Sequence, residues 1–311
     1  MAYEHIPVLL KEVIEYLDVS PGKNFVDATL GGGGYTSAII AKNRPDGKVL
    51  AIDLDQDAID ESAKGIGLRA KNLILHHGNF AHVDKIVEHY KFSNINGIVA
   101  DLGLSSYELE HRGMSFQTDQ PLDMRFNQSG EHIDAKFVLN NYNEHQLYKI
   151  FTEFGEEKFS KQIVNKILGL RAKGVALSNT TDLYQVIVDA LPKPVKHRAD
   201  DSARRIFQDL RIEVNHELEN LKEFLPKAFD VLSPGGRLVI VSFHSLEDRI
   251  VKQFFNQLSK GCVCPLDFPQ CVCGKNPQGK ILTKKVLLAS AEELHTNPRA
   301  KPAKLRAIQK I

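Results

Sequence analysis

Apolar residues recur at helical spacing at Leu9, Leu10, Val13, Ile14 and Leu17, which predicts an amphipathic helix over 8–18 that ends near Pro21-Gly22. Beyond it the pattern shortens to strand length. Asn24-Phe-Val-Asp-Ala-Thr-Leu30 is an apolar run that enters four consecutive glycines, Gly31 to Gly34, and a helix is predicted from Ser37 to Lys42. Three further runs read as strands: Lys48 to Asp53, Leu73 to Gly78 and Ile95 to Leu102, with a helix over 58–70 after the first of them. Strands alternating with helices at this spacing predict a parallel, doubly wound α/β sheet.

The alternation stops after Asp101-Leu-Gly-Leu-Ser-Ser106, and the segments 134–140, 144–153, 156–171, 180–190 and 201–208 carry helical periodicity instead. It then returns. A helix over 213–231 leads through Ser233-Pro-Gly-Gly236 into a buried strand from Arg237 to Phe243, followed by a helix over 245–258. Lys280 to Leu288 and Lys304 to Lys310 are expected to pair as a terminal antiparallel hairpin. The expected organisation is a discontinuous α/β domain, 1–108 with 212–311, interrupted by an all-helical domain over 109–211; no internal repeat is visible.

A chain of 311 residues, 42% hydrophobic and 25% charged, is long enough for about two domains and excludes collagen-like, coiled-coil and disordered classes. No apolar run reaches the roughly 18 to 20 residues of a membrane span, and Glu4, Lys11, Glu12 and Glu15 interrupt any signal-peptide core. A cytoplasmic protein is expected. The net charge of +1 is unevenly spread, because Lys275 to Ile311 holds nine Lys or Arg against Glu292 and Glu293, a local +7 that leaves −6 for the rest. A basic tail of that kind suits a polyanionic partner, although a solvated surface explains a charge run equally well.

In a doubly wound sheet, ligands bind beyond the carboxyl ends of the strands where strand order reverses, and the chemically interesting residues fall there. Glycines 31–34 let the backbone approach a cofactor closely, and Asp53 at the end of the next strand is placed to bond ribose hydroxyls. The G-x-G-x-x-G spacing of nicotinamide-binding proteins is broken, since Thr36 stands where the last glycine would follow Gly31 and Gly33. This favours S-adenosylmethionine over NAD and opposes an oxidoreductase. Gly78-Asn79-Phe80 closes the third strand with an amide and a ring that can flank an adenine, against the alternative of a core Phe. Asp101 ends the fourth strand beside the reversal point, as a reactive carboxylate or as a capping Asp.

All four cysteines lie between Cys262 and Cys273. Cys262-x-Cys264 and Cys271-x-Cys273 have the ligand count of a structural zinc site, but their internal spacing is tighter than usual, and a reduced surface loop is the competing reading.

The sequence resembles the ribosomal RNA small subunit methyltransferase H family, S-adenosylmethionine-dependent enzymes that modify N4 of a cytidine in 16S ribosomal RNA. The resemblance rests on His5-Ile-Pro-Val-Leu-Leu10, Asp27-Ala-Thr-Leu-Gly-Gly-Gly-Gly34, Asp101-Leu-Gly-Leu-Ser-Ser106, Arg112-Gly-Met-Ser-Phe116 and Pro121-Leu-Asp-Met-Arg125. It continues through Gly155-Glu-Glu-Lys-Phe159, Ile206-Phe-Gln-Asp-Leu-Arg-Ile212, Pro234-Gly-Gly-Arg237, Ser242-Phe-His-Ser-Leu-Glu-Asp-Arg249 and Asn297-Pro-Arg-Ala300, nearly the whole chain.

What this implies is a Rossmann-like methyltransferase sheet with an inserted helical substrate-recognition domain. The cofactor contacts fall on Gly33, Gly34, Tyr35, Asp53, Phe80, Asp101 and Glu108, with Asp101 also the candidate catalytic residue. Two positions depart from the family: Tyr35 replaces a histidine, and Glu108 replaces a glutamine, so an amide becomes an acceptor-only carboxylate if ionised. Asp123, Arg125, Ser242, His244 and Ser245 are substrate-side candidates by motif position. Arg204 and Arg205, with Lys193, Lys196, Arg198 and Arg211, are expected to hold phosphates of 16S ribosomal RNA or of the small ribosomal subunit. The acceptor base must be single-stranded or extruded from its helix.

Overall fold

The computed structural model describes residues 7–66, 71–128, 133–261, 264, 270 and 273–311. The chain separates into two compact units, Met1–Gly103 with Glu219–Ile311, and Leu104–Leu218.

The first unit is built on a seven-stranded sheet. In chain order its elements are α1 (Leu10–Leu17), β1 (Asn24–Asp27), α2 (Gly34–Asn43), β2 (Val49–Asp53), α3 (Gln56–Ile66), β3 (Leu73–His77), α4 (Val83–His89) and β4 (Ile95–Asp101). The second unit then supplies α5 (Ser106–His111), α6 (Ala135–Asn141), α7 (Glu144–Glu153), α8 (Ser160–Arg171), α9 (Thr180–Ala190) and α10 (Ala199–Asn215). The chain continues with α11 (Glu217–Val231), β5 (Leu232–Ser242), α12 (Ser245–Ser259), β6 (Gly279–Ile281), α13 (Ala291–Thr296) and β7 (Lys304–Lys310).

The strand order is β3-β2-β1-β4-β5-β7-β6, so the winding reverses between β1 and β4. The five strands β1 to β5 pair in parallel and β7 lies antiparallel between β5 and β6. Successive side chains leave a strand on opposite faces, so Phe25 and Val26 of β1 enter different cores. Phe25, Val49, Val99 and Val239 pack with Val13 and Leu17 of α1 and Ile39 of α2. Val26, Leu50, Ile98 and Ile240 pack instead with Val83 of α4, Phe224 of α11 and Phe255 of α12. Because both faces are covered, β2 and β4 read as continuous apolar runs rather than alternating ones.

The terminal hairpin forms in part. Gly279–Ile281 pairs with β7, and Leu287 bridges to Leu305 farther along. The sequence did not anticipate that β7 would also pair with β5 over six positions, Arg237↔Gln309 to Ser242↔Lys304, which makes it an interior strand and buries Leu305, Ala307 and Ile308 completely.

The second unit is helical and has its own core, with Leu139, Leu147, Phe151, Ile163, Ile167, Leu183, Ile187, Ile206 and Leu210 all fully buried. Asp134 and Asn143 cap α6 and α7 by accepting from Phe137 N and Gln146 N. The expected break after residue 208 is absent. Its apolar stripe of Ile206, Phe207, Leu210 and Val214 continues, so α10 runs unbroken to Asn215, where His216 takes a left-handed conformation at φ 50°. The unit borders fall at 103/104 and 218/219 rather than at 108 and 212. At one border α5 is capped from within its own unit by Ser105, and at the other Val214 belongs to the helical core.

Candidate active site

The site candidates of the first unit gather at the carboxyl ends of β1, β2 and β4, around the strand-order reversal. Asp27 ends β1 and is wholly buried. Thr36 Oγ1 donates to its Oδ2 at 2.6 Å and Thr29 N to its Oδ1 at 3.3 Å, yet burial dominates and pushes the carboxyl up to about 7. The chain then turns through Gly31 (φ 49°) and Gly33 (φ 73°), left-handed conformations that a side chain makes costly. Gly34 opens α2 hard against Pro7, whose ring carbon would lie 2.6 Å from any Cβ added there.

Asp53 at the end of β2 is tied to this turn. Its Oδ2 accepts from Gly31 N at 2.7 Å and its Oδ1 from Asp55 N at 2.9 Å. Burial raises its pKa while these amides pull it down. Each carboxylate oxygen has a second lone pair, so the residue that shapes the turn retains acceptor capacity for hydroxyl groups. Asn79 Oδ1 caps the 3₁₀ turn Phe80–His82 through Ala81 N, and the half-buried ring of Phe80 packs edge-on against Phe224 with centroids 4.9 Å apart.

Asp101 closes β4. Its own amide donates to Thr29 Oγ1 at 2.7 Å, its Oδ1 accepts from Gly103 N at 3.0 Å, and its Oδ2 lies 3.0 Å from the Tyr35 hydroxyl. Burial lifts its pKa to about 6 against those donors, with Glu247 adding repulsion. Gly103 has no room for a side chain, since a Cβ would meet the Phe243 ring at 2.6 Å. Asp101 is thereby a carboxyl held at both oxygens and at its backbone, on a residue that keeps part of its surface open.

These residues suit a nucleoside-bearing cofactor with a cationic centre. Two part-exposed carboxylates, Asp53 and Asp101, flank a glycine turn whose Gly31 opens on empty space where a side chain would stand. S-adenosylmethionine has that chemistry, a ribose diol and a sulfonium charge, and Asp53, Gly33 and Phe80 are the residues that would hold it.

The remaining candidates are distributed differently. Tyr35, expected as a cofactor contact, has its ring buried and its hydroxyl turned toward the Val8 carbonyl and Asp101. Ser242 is buried on β5, its hydroxyl 3.4 Å from the Lys304 carbonyl; Ser245 is exposed in the first turn of α12. His244 Nε2 lies 3.0 Å from Glu247 Oε1, and the same carboxylate accepts from Phe243 N at 2.8 Å.

Five candidates lie in the helical unit: Glu108, Asp123, Arg125, Arg204 and Arg205. Glu108 accepts from Ser105 N at 2.7 Å, completing a capping box at α5. Arg125 grips Asp123 in a two-bond fork at 2.7 and 3.0 Å, and although burial opposes it, that fork holds the Asp123 carboxyl below its ordinary range. Arg204 is exposed and 3.0 Å from Asp201. Arg205 is committed inward, its Nε 2.7 Å from the buried Glu157 carboxylate, and Arg211 is likewise held in a fork by Glu217 at 2.7 and 2.9 Å. Of the four cysteines, Cys264 and Cys273 are half-buried, and Cys262 and Cys271 lie outside the described residues.

Sequence reasoning missed two features: the Thr36–Asp27–Thr29–Asp101 chain of bonds that ties the glycine turn to β4, and the contact of the Tyr35 hydroxyl with Asp101. Hydroxyls flanking a strand-end acid in Asp27-Ala-Thr29 and Thr36 were the available signal.

A glycine turn, an acid on β2 and a held carboxyl on β4, on a doubly wound sheet, define the class as an α/β methylase scaffold. The whole sequence bears this out: residues 2–311 match the MraW methylase family, and the chain belongs to that family. It is 44% identical to ribosomal RNA small subunit methyltransferase H of Carboxydothermus hydrogenoformans, over 100% of this chain and 99% of the relative. It is 43% identical to the protein of the same name from Heliobacterium mobile, covering both chains completely, and 44% identical, also over both complete chains, to that of Clostridium botulinum strain 657.

Proposed function

We propose that the chain transfers a methyl group from S-adenosylmethionine to the exocyclic N4 of a cytidine in 16S ribosomal RNA. The observation that carries this reading is the Asp101 carboxyl, held at the strand-order reversal in the unit that also presents the glycine turn and Asp53. The relatives named as small-subunit ribosomal RNA methyltransferases supply the substrate class.

When bound, the cofactor supplies an electrophilic methyl group on a sulfonium. Asp53 bonds the ribose hydroxyls and keeps the glycine turn open. The N4 lone pair of cytosine is conjugated into its ring, so the nitrogen becomes a competent nucleophile only as it pyramidalises and sheds a proton. Asp101 takes that proton and aligns the amine, which is the work of a general base and an orienting group together. Its raised pKa of about 6 leaves it mostly ionised near neutrality and a better base than an ordinary carboxylate.

The helical unit is assigned to RNA recognition, with Arg204 and the 3₁₀ segment Lys193–Arg198 presenting exposed cations. No helix among the described residues is long and apolar enough to cross a membrane, in keeping with a substrate in the cytoplasm. The test is incubation of small subunits or 16S RNA lacking the modification with protein and deuteromethyl cofactor, followed by nucleoside mass spectrometry. Labelled N4-methylcytidine is expected; label on cytosine C5 or on adenosine overturns the assignment.

A further inference from the structure

Tyr35 is the one buried hydroxyl in contact with Asp101 among the described residues, and the proposed chemistry leaves it without a role. Its ring is 4% exposed on the first turn of α2, and the Oη atom faces two acceptors at once, the Val8 carbonyl and Asp101 Oδ2, the latter at 3.0 Å. A phenol has one hydrogen and can donate to only one of them. The second oxygen of Asp101 is occupied by Gly103 N at 3.0 Å and its backbone is fixed by Thr29, so the Tyr35 contact is the adjustable one.

We propose that Tyr35 is a positioning residue for Asp101, its hydroxyl hydrogen pointing to the carboxylate when Asp101 is ionised and to the Val8 carbonyl once Asp101 holds a proton. In the first state the phenol donates a charge-assisted bond, the stronger of its two options. In the second, the Asp101 acid hydrogen donates to the phenol oxygen and the phenol hydrogen satisfies Val8. Proton uptake then costs Asp101 neither its partner nor its orientation. The only other change is rotation of one O–H bond. In the transfer step the proton leaving N4 ends on Asp101 Oδ2 while the nitrogen lone pair forms the new N–C bond and the sulfur keeps the electrons of the broken S–C bond.

Among the described residues, the charged groups that act on this pair are acidic: Asp27 from β1, Glu247 from α12 and, toward Tyr35, Glu293 from α13. Each disfavours a charge on Asp101 or on Tyr35, and burial does the same, so Tyr35 stays a neutral phenol. The donors that stabilise the ionised carboxyl are Gly103 N and the Tyr35 hydroxyl.

The inference rests on Asp101 being the proton acceptor, and the experiment separates the two. In wild-type protein with selectively ¹³C-labelled Tyr and Asp, the Tyr35 Cζ and Asp101 Cγ resonances are expected to move with one shared pH midpoint, without any catalysis. Tyr35→Phe removes the donor to the carboxylate and is expected to raise the Asp101 midpoint by about one unit. The acid limb of single-turnover transfer should rise equally. Unlinked resonances in the wild type, or a Tyr35→Phe rate depressed evenly at every pH with an unmoved limb, overturn the positioning role. Asp101→Asn with a near-normal rate instead removes the reading on which it rests.

Discussion

Gly31 donates its amide to Asp53 Oδ2 at 2.7 Å, so the carboxylate proposed to bond the cofactor's ribose is also the strut of the glycine turn. Asp53→Ala therefore removes two functions at once. Hydrogen bonds to charged groups contribute about 1.5 to 3 kcal/mol, and the dissociation constant for S-adenosylhomocysteine is expected to rise roughly ten- to a hundred-fold. Calorimetric titration of the folded variant checks it; unchanged affinity removes Asp53 from the site.

Arg204 and Arg205 are neighbours in sequence with opposite surroundings. Arg204 is exposed, whereas Arg205 neutralises the Glu157 carboxylate, whose side chain is fully buried. Replacing Arg204 by Ala should flatten the dependence of log RNA affinity on log salt by roughly 0.7 to 0.9 with stability intact. Arg205→Ala should leave Glu157 unpaired and cost on the order of 1 to 3 kcal/mol of stability. Filter-binding salt series and thermal melts distinguish the two; identical behaviour of the two variants contradicts the assignment.

Asp209 on α10 is wholly buried, and neither carboxylate oxygen has a hydrogen-bond partner among the described residues. Burial raises its pKa to about 9, Glu157 adding to the shift and Arg205 opposing it. A carboxyl whose folded pKa is raised gives its full stabilisation below the unfolded value, about 3.9, and loses it as pH climbs through the folded one. Thermal midpoints should therefore fall between about pH 4 and pH 9, with Asp27 contributing up to about 7. Asp209→Asn should flatten that fall by several degrees, on the order of 1 to 3 kcal/mol. A variant with the wild-type slope shows that Asp209 is ionised in the folded protein.

Strands β1 to β4 were legible because each is an apolar run that meets an Asp or Gly at its end, as at Asp27, Asp53, Gly78 and Asp101. Local signals also located most helices of the second unit, where caps such as Asp134 and Asn143 mark the starts. Position within the sheet was not legible. The alternation of Leu305 and Ala307 reads alike for an edge strand and for the interior strand that β7 is, since its β5 partner comes from a distant segment. The same limit applies to the site. The sequence pattern put Asp53 and Asp101 at strand ends, where β2 and β4 do stop, but the direction of the Tyr35 hydroxyl and the pairing of Arg205 with Glu157, 48 residues away, are products of packing that no local pattern encodes.

The central claim is that Asp101 accepts the proton from N4 and orients the amine, and the most direct measurement is single-turnover methylation by Asp101→Asn at saturating cofactor and RNA. Asparagine keeps the shape and the contact with Gly103 while removing the charge. General-base help is typically worth about 10²- to 10⁴-fold, so the rate is expected to fall by about a hundred-fold or more. A variant that binds both substrates and transfers methyl at a near-normal rate contradicts the account and leaves Asp101 as a capping residue of β4.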